Sequence, residues 1–521
     1  MGPAQNAQRP LSNRPKSPTA DGPGPGSDDS TLSRSSQHSP PAAMHRTRSR
    51  NSNGVSDKSA DAGEAAGSPP RDKHAFEVDW DGGDSDPMCP RSFGWGRKWL
   101  IVIIVSHASL CVTCASSIYT STYEKMEAEF HNSRIVSVLG LSTFVLGISF
   151  GPMFLSPLSE FYGRRPIYLV AWTTYLVWLI PQAVTKHVAV LLVFRFMDGF
   201  AGSAFLAVSG GTVGDLFAKD ELHAPMAFFS MSPFIGPSLG PLVGGFINYN
   251  VDWRWTYYVL IIWTFALWVA IIFFVPETYH PILLRNKARR LRAETGDDRW
   301  IVPADMVERS VTRAVGRSLL RPFQLLIFEP MCLNLCIFSA LLLGILYLFF
   351  GAFPLVFGTN HGFNLGRRAW PSWASWHERV TGVKDGSEPE FRLPPAILGS
   401  LLVPVGLFMF GWSTYPWVHW IVPIIGSAIF GTGNVLLFTS IFTFLVDAYP
   451  LYAASALAAN AFIRCLFAAA FPLFGNQMYQ KLGYQWASSL LAFLTVVMLP
   501  FPYIFFRYGK RIRDKSRFAK N

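Results

Sequence analysis

Charge is scarce in this chain. Only 15% of its 521 residues are Asp, Glu, Lys or Arg, where a water-soluble domain carries about 25%. What charge there is gathers in tails and loops, and Trp99–Thr122, Trp255–Val275, Pro330–Phe357 and Pro416–Val446 contain none. A helix rises about 1.5 Å per residue, so roughly 20 apolar residues cross a hydrocarbon layer about 30 Å thick. Runs of this length, repeated down the chain, exclude a soluble domain and predict an all-α polytopic membrane protein. The formal net charge of +11 would raise the question of nucleic acid in a soluble protein. Here it sits at the ends of apolar runs and in one long loop, where it marks topology, and no nucleic-acid partner is expected.

Cysteine is equally thin, with six in all. Cys111 and Cys114 lie one turn apart in the first run, as do Cys332 and Cys336 in another. Such pairs could hold a metal or a redox couple. No His or carboxylate stands beside either, so they read as small apolar residues in lipid-buried helices, with no metal. A His pair at ligand spacing, a phosphate-binding Gly loop and a nucleophile elbow are all missing, which counts against an enzyme and predicts no cofactor. No charged segment followed by a short apolar one opens the chain, so no cleaved signal peptide is expected and the first span directs insertion.

Residues 1–90 are rich in Ser, Pro, Gly and Asp and predict a disordered tail, because they cannot bury enough surface to offset their ordering entropy. Spans follow at about 98–122, 135–157, 167–185, 188–213, 224–247 and 255–275, forming a first half over 98–275. A basic central loop occupies 276–329, and its stretch Tyr279–Phe328 holds ten Arg or Lys against five Asp or Glu. The second half, 330–506, has spans at about 330–357, 395–412, 418–444, 452–476 and 485–506, and a basic tail closes the chain at 507–521. Arg164 and Arg165 follow the second span and Lys219 the fourth, so these loops, the central loop and the N-terminus are expected on the cytoplasmic side. Two sets of spans around a basic cytoplasmic loop is a two-halved transporter layout.

Eleven spans leave a conflict. Gly358–Leu393 carries five basic residues and Arg507–Asn521 seven, so both belong in the cytoplasm and one crossing is missing within 358–393. Arg367, Arg368, Glu378, Arg379, Lys384 and Asp385 break every window there. Either an eighth span is absent or the Trp-rich run Arg367–Arg379 reflects a gene-model error, and the second reading is favoured.

The fifth span reads Ile-Gly-Pro-Ser-Leu-Gly-Pro-Leu-Val-Gly-Gly over 235–245. Gly236, Gly240 and Gly244 share one helical face that lets another helix approach closely, while Pro237 and Pro241 bend the helix. With Gly245, the string resembles the antiporter signature of the major facilitator superfamily, in its fungal twelve-span drug:proton antiporter branch. The resemblance extends from about Arg97 to the C-terminus except roughly Gly366–Lys384, and includes Trp253–Tyr257 and Pro276–Tyr279. It implies two six-helix halves around a midplane cavity. It further implies proton-coupled export of a small organic molecule such as a drug, toxin or polyamine, at the plasma membrane, by a monomer with both termini cytoplasmic. The proton gradient would be the energy source.

The resemblance also assigns residues. Pro157–Pro166 matches the superfamily's loop after the second span, in which Glu160, Gly163, Arg164 and Arg165 would form a latch of charges and helix dipoles. Ser156 and Phe161 depart from that pattern, and a plain positive-inside anchor is the other reading. Arg195 would belong to an Arg-x3-Gly element tied to proton transfer. An Arg in a membrane helix is costly unless paired or hydrated, and Asp198, three residues on, is a candidate partner. Arg keeps its own proton, so its role would be to tune a carboxylate or order water; a structural ion pair is the alternative. Arg464 is the lone charge of its span and is expected to face the cavity. Asn434 and Asn460 either line the path or join helices; Asp215 and Asp447, at span ends, are either functional or interfacial. A sensor, or a transport-defective protein lacking its eighth span, are the competing readings.

Overall fold

The computed structural model describes residues 76–81, 83–218, 221–302, 311–359, 393–449 and 453–514. The first half builds six crossings: α1 (Trp95–Ile118), α3 (Arg134–Tyr162), α4 (Arg164–Val184), α5 (Val188–Ala207) continued by the short α6 (Ser209–Leu216), α7 (His223–Asn250) and α8 (Arg254–Phe274). A short α2 (Tyr123–Phe130) lies between the first two. Small residues set the closest pairings. A Cβ on Gly147 or Gly199 would strike the backbone of the facing helix, at Phe196 and Phe144 respectively, so α3 and α5 touch backbone to backbone. The bundle interior is filled by large side chains such as Trp172, Tyr168 and Phe205, the first two buried to 0% exposure and stacked on or against the third.

The second half comprises α11 (Pro330–Thr359), α12 (Pro394–Trp412), α13 (Ile421–Ala448), α14 (Ala453–Met498) and α15 (Pro500–Asp514). The 46-residue α14 is two helices, broken at Gly483, whose φ of 76° lies in the left-handed region. The Tyr479 hydroxyl is 3.3 Å from Ser488 Oγ. Nine residues of continuous helix would separate them by about 13 Å, so the chain turns back here. Ten helical stretches are long and apolar enough to cross a membrane, and the last, Ser455–Arg513, divides at this turn, which makes eleven crossings among the described residues. The missing eighth span expected within 358–393 falls on residues 360–392, outside the described residues, as do the tail before residue 76 and residues 515–521.

Two segments expected as tail and loop are structured. Residues 76–92 form short turns on α9 (His280–Thr295), and α10 (Val311–Phe328) leads into α11. Glu77 and Ile301 form a parallel bridge, and Val78 packs with Ala288 and Val302. Lys287, 6% exposed, donates to Asp86 Oδ2 at 2.8 Å and lies 2.9 Å from Asp81. The hydrogen bond from Lys287 holds the Asp86 carboxyl below the usual carboxylate range. Residues 76–81 and 83–90, expected as part of a disordered tail, are therefore ordered against α9. Apolar Val78 and acidic Asp81 and Asp86 find a complementary surface that is remote in sequence, which local composition cannot show.

Candidate functional site

Arg195 and Asp198 both lie on α5 and are both fully buried, but they do not pair. The Arg195 guanidinium donates to the carbonyls of Gly140 (3.3 Å), Ala115 (3.1 Å) and Ser116 (3.5 Å). It is sandwiched between the rings of Tyr119 (4.5 Å) and Phe144 (4.3 Å). Carbonyl dipoles and ring faces thus hold its charge. Asp198 Oδ2 instead accepts from Gln182 Nε2 at 2.5 Å, and Oδ1 has no protein partner. The pairing suggested by their spacing is replaced by two separate attachments, because each side chain reaches a different neighbouring helix. Gln182, near the end of α4, was not marked in the sequence; a lone amide in an apolar span was the available signal.

In the second half, the Arg464 guanidinium sits over Phe438 (5.4 Å) and Phe442 (5.1 Å) of α13. Asn460 donates to Ser339 Oγ at 2.6 Å, joining α14 to α11. Asn434 is 3% exposed and its Oδ1 has no protein partner. The halves meet where α3 faces α14: Ser142 Oγ donates to the Ala469 carbonyl (2.6 Å) and Ser149 Oγ to that of Phe462 (3.2 Å). Phe150 stands edge-on to Phe462 at 5.5 Å, and Phe234 of α7 lies 5.6 Å from Phe438. Ser142, Ser149, Phe150 and Phe234 thus meet Ala469, Phe462 and Phe438 across the seam between the halves.

At the opposite end of α3 the chain turns at Gly163, with φ 100°. A Cβ there would collide with the Glu277 carboxylate. Glu277 accepts from the backbone N–H groups of Arg164 (2.9 Å) and Arg165 (3.1 Å), at the positive end of α4. The Arg164 side chain bonds Ser159 Oγ (2.7 Å) and Asp215 (3.3 Å) and lies over Tyr279. Arg165 donates to the Ile272 carbonyl at 3.1 Å. Glu160 is exposed and makes no ion pair among the described residues; the acids that meet Arg164 and Arg165 here are Asp215 and Glu277. His280 Nε2 is 2.9 Å from the Asp215 carbonyl, and its ring stands edge-on to Trp80 at 5.7 Å. The docked 76–92 segment therefore reaches this network.

The small-residue stripe of α7 lies on α1. A Cβ on Gly236 would strike Thr113 and the Leu110 carbonyl, one on Gly240 Ser117 and the Ile118 amide, and one on Gly244 the Ile118 carbonyl. Pro237, Pro241 and Gly245 complete the string within the helix, Pro237 and Gly245 being buried.

The model of the Major Facilitator Superfamily matches residues 105–472. The chain belongs to this superfamily. It is 52% identical over 460 residues to the efflux pump atB of Aspergillus terreus, covering 84% of this chain and 89% of that one. It is 41% identical over 470 residues to the probable drug/proton antiporter YHK8 of Saccharomyces cerevisiae, covering 86% and 91%. These relatives place it in the superfamily's fungal drug:proton antiporter branch. Among solved structures, the xylose transporter XylE of E. coli in a partially occluded inward-open conformation aligns with a TM-score of 0.57 at 16% identity, over 79% of this chain and 99% of that one. A peptide transporter POT in complex with alafosfalin aligns at 0.57 and 14%, over 86% and 99%. These two show the fold.

A major facilitator protein is a secondary transporter whose halves rock about a midplane site. In this member, α3 and α14 form a seam between the halves, and the Gly163–Arg165 turn is where the first half is tied together at one end.

Proposed function

We propose that this chain exports a small organic molecule from the cytosol in exchange for protons, with Asp198 as the group that takes up and releases the proton. The observation that supports this is the setting of Asp198: fully buried, bonded only through Gln182, and without a cation on either oxygen. Burying an unpaired carboxylate costs several kcal/mol, so this conformation suits the proton-loaded form. Arg195, held by the carbonyls of Ala115 and Ser116, is a fixed positive charge on the same helix that favours release once the site opens.

The substrate side falls to the second half. Arg464 with Phe438 and Phe442, together with Asn434 and Phe234, suits an amphipathic molecule with an aromatic or apolar body and hydrogen-bonding groups. A polyamine is the less favoured cargo, because several positive charges call for carboxylates, and Arg464 is the lone charge of its span. The basic cytoplasmic loops support both termini inside, and a plasma-membrane exporter acting as a monomer fits such cargo.

The test is uptake into proteoliposomes under an imposed pH gradient, with a fluorescent amphipathic dye as probe. Asp198→Asn and Arg195→Ala are expected to abolish gradient-driven transport while inserting normally. Full proton-driven transport by Asp198→Asn would sink the assignment.

A further inference from the structure

The environment of Asp198 holds more polar atoms than its own bonds explain. Asp198 Oδ1, Gln182 Oε1 and the hydroxyls of Tyr119, Tyr175 and Tyr257 all lack a protein partner. Each of these side chains belongs to a residue no more than 1% exposed. They come from separate parts of the first half: Tyr119 follows α1, Tyr175 and Gln182 lie on α4, Asp198 on α5 and Tyr257 on α8. Tyr175 and Tyr257 are each within electrostatic reach of both Arg195 and Asp198, and Tyr119 is within reach of Tyr257 and lies against the Arg195 guanidinium. The Tyr175 ring is pinned between Trp172, stacked at 5.1 Å, and Gly202, whose added Cβ would stand 3.2 Å from it. The hydroxyl is thereby aimed, not free to leave for lipid.

One buried, unpartnered hydroxyl costs about 1–3 kcal/mol. Asp198 Oδ1 and four further unpartnered atoms within the first half are too many to leave dry in a native bundle. Water is the ligand that relieves this, since a buried molecule makes about three hydrogen bonds to groups of this kind. We infer that the first half encloses a cluster of ordered water against Asp198, and that Tyr175 and Tyr257 relay the proton through it. A tyrosine hydroxyl accepts through a lone pair and donates through its hydrogen. A proton arriving on a neighbouring water passes to the hydroxyl oxygen as the hydroxyl's own proton leaves for the next water and then for Asp198 Oδ1. One proton enters, one reaches the carboxyl, and no tyrosine is left ionised.

This places the proton inside one half, apart from the seam where cargo sits. Arg195 connects the two, because its carbonyl partner Ser116 also meets Tyr347 of the second half, with hydroxyl oxygens 3.0 Å apart.

The inference rests on Asp198 being the proton carrier, and the experiment separates the two claims. Asp198→Asn, Tyr175→Phe, Tyr257→Phe and the double Tyr variant are reconstituted, and dye uptake driven by a pH gradient is measured in H2O and D2O. The double variant is expected to lose about a hundredfold or more in gradient-driven rate, in the range of a lost proton-transfer group. Its solvent isotope effect should rise above that of the unaltered protein, a change that merely loosened packing would not produce. If Asp198→Asn transports normally, the carrier assignment fails. If Asp198→Asn is dead while both Tyr variants keep rate and isotope effect, the carrier stands and the relay is overturned. Should the double variant be unstable, the single variants decide by the same isotope measurement. A density map fine enough to show waters that shows none among these side chains also overturns it.

Discussion

The Ser116 and Tyr347 hydroxyls meet at 3.0 Å across the two helix bundles. Ser116 Oγ already donates to the Thr113 carbonyl at 2.7 Å, so its oxygen accepts from Tyr347. The Ser116 carbonyl in turn accepts from Arg195. One residue of α1 therefore touches both the charged interior of the first half and the second half.

Tyr347→Phe removes that bond and leaves the ring. A neutral hydrogen bond contributes about 0.5–1.5 kcal/mol, so the balance between seam-closed and seam-open states should shift roughly two- to tenfold. Cysteine accessibility along α3, compared with and without the substitution, reads the shift; unchanged accessibility at Ser142 and Ser149 positions would show that the contact carries no weight.

Glu277 joins the end of α8 to the start of α4 through two backbone amides. Carboxylates at helix N-termini contribute about 0.3–1 kcal/mol, and up to about 2 when partly buried. Glu277→Gln should slow transport several-fold with normal insertion, and Glu277→Lys should be worse, because it places a cation beside Arg164 and Arg165. Equal transport by the two variants would remove charge from the account.

Gly240 separates close packing from mere composition. Its added Cβ would collide with Ser117 and the Ile118 backbone, whereas one on Gly214 would meet nothing within 4 Å. Overpacking costs typically 1–3 kcal/mol. Gly240→Ala should lower thermal stability in detergent and Gly240→Leu should prevent folding, with Gly214→Ala neutral. A neutral Gly240→Leu would show that α1 and α7 are not in tight contact.

The docking of residues 76–92 should respond to acid with a definite sign. Asp86 is held below its unfolded value by Lys287, so its contribution is complete above the unfolded carboxylate value of about 3.9 and fades as pH falls through the lower folded value. Protection of the 76–92 amides, taken relative to the intrinsic exchange rate at each pH, should therefore be flat from neutral pH down to about 5 and fall only in stronger acid. A hydrogen bond to a charged group contributes about 1.5–3 kcal/mol, so Asp86→Asn or Lys287→Met should raise exchange roughly ten- to a hundredfold at neutral pH. Charge reversal at both positions tests whether the pair alone is responsible.

The apolar spans and the antiporter string are legible in the chain itself, because a bilayer imposes length and apolarity on each crossing independently of the others. Gly236, Gly240 and Gly244 could be read as a packing face for the same reason: their spacing repeats with the helix. Which helix they pack on, α1, could not. Arg195 and Arg464 stood out by cost alone, since any charge in an apolar span demands an explanation.

Partners were decided only by the tertiary structure. Arg195 and Asp198 sit three residues apart on one helix, yet one bonds to carbonyls of α1 and α3 and the other to Gln182 of α4. Glu277, not Glu160, meets the amides at Gly163, and Asp86 finds Lys287 two hundred and one residues away. Burial cost is set by each residue's own chemistry and can be read locally. The group that offsets that cost is supplied by whichever helix the fold brings alongside, and sequence spacing carries no information about it.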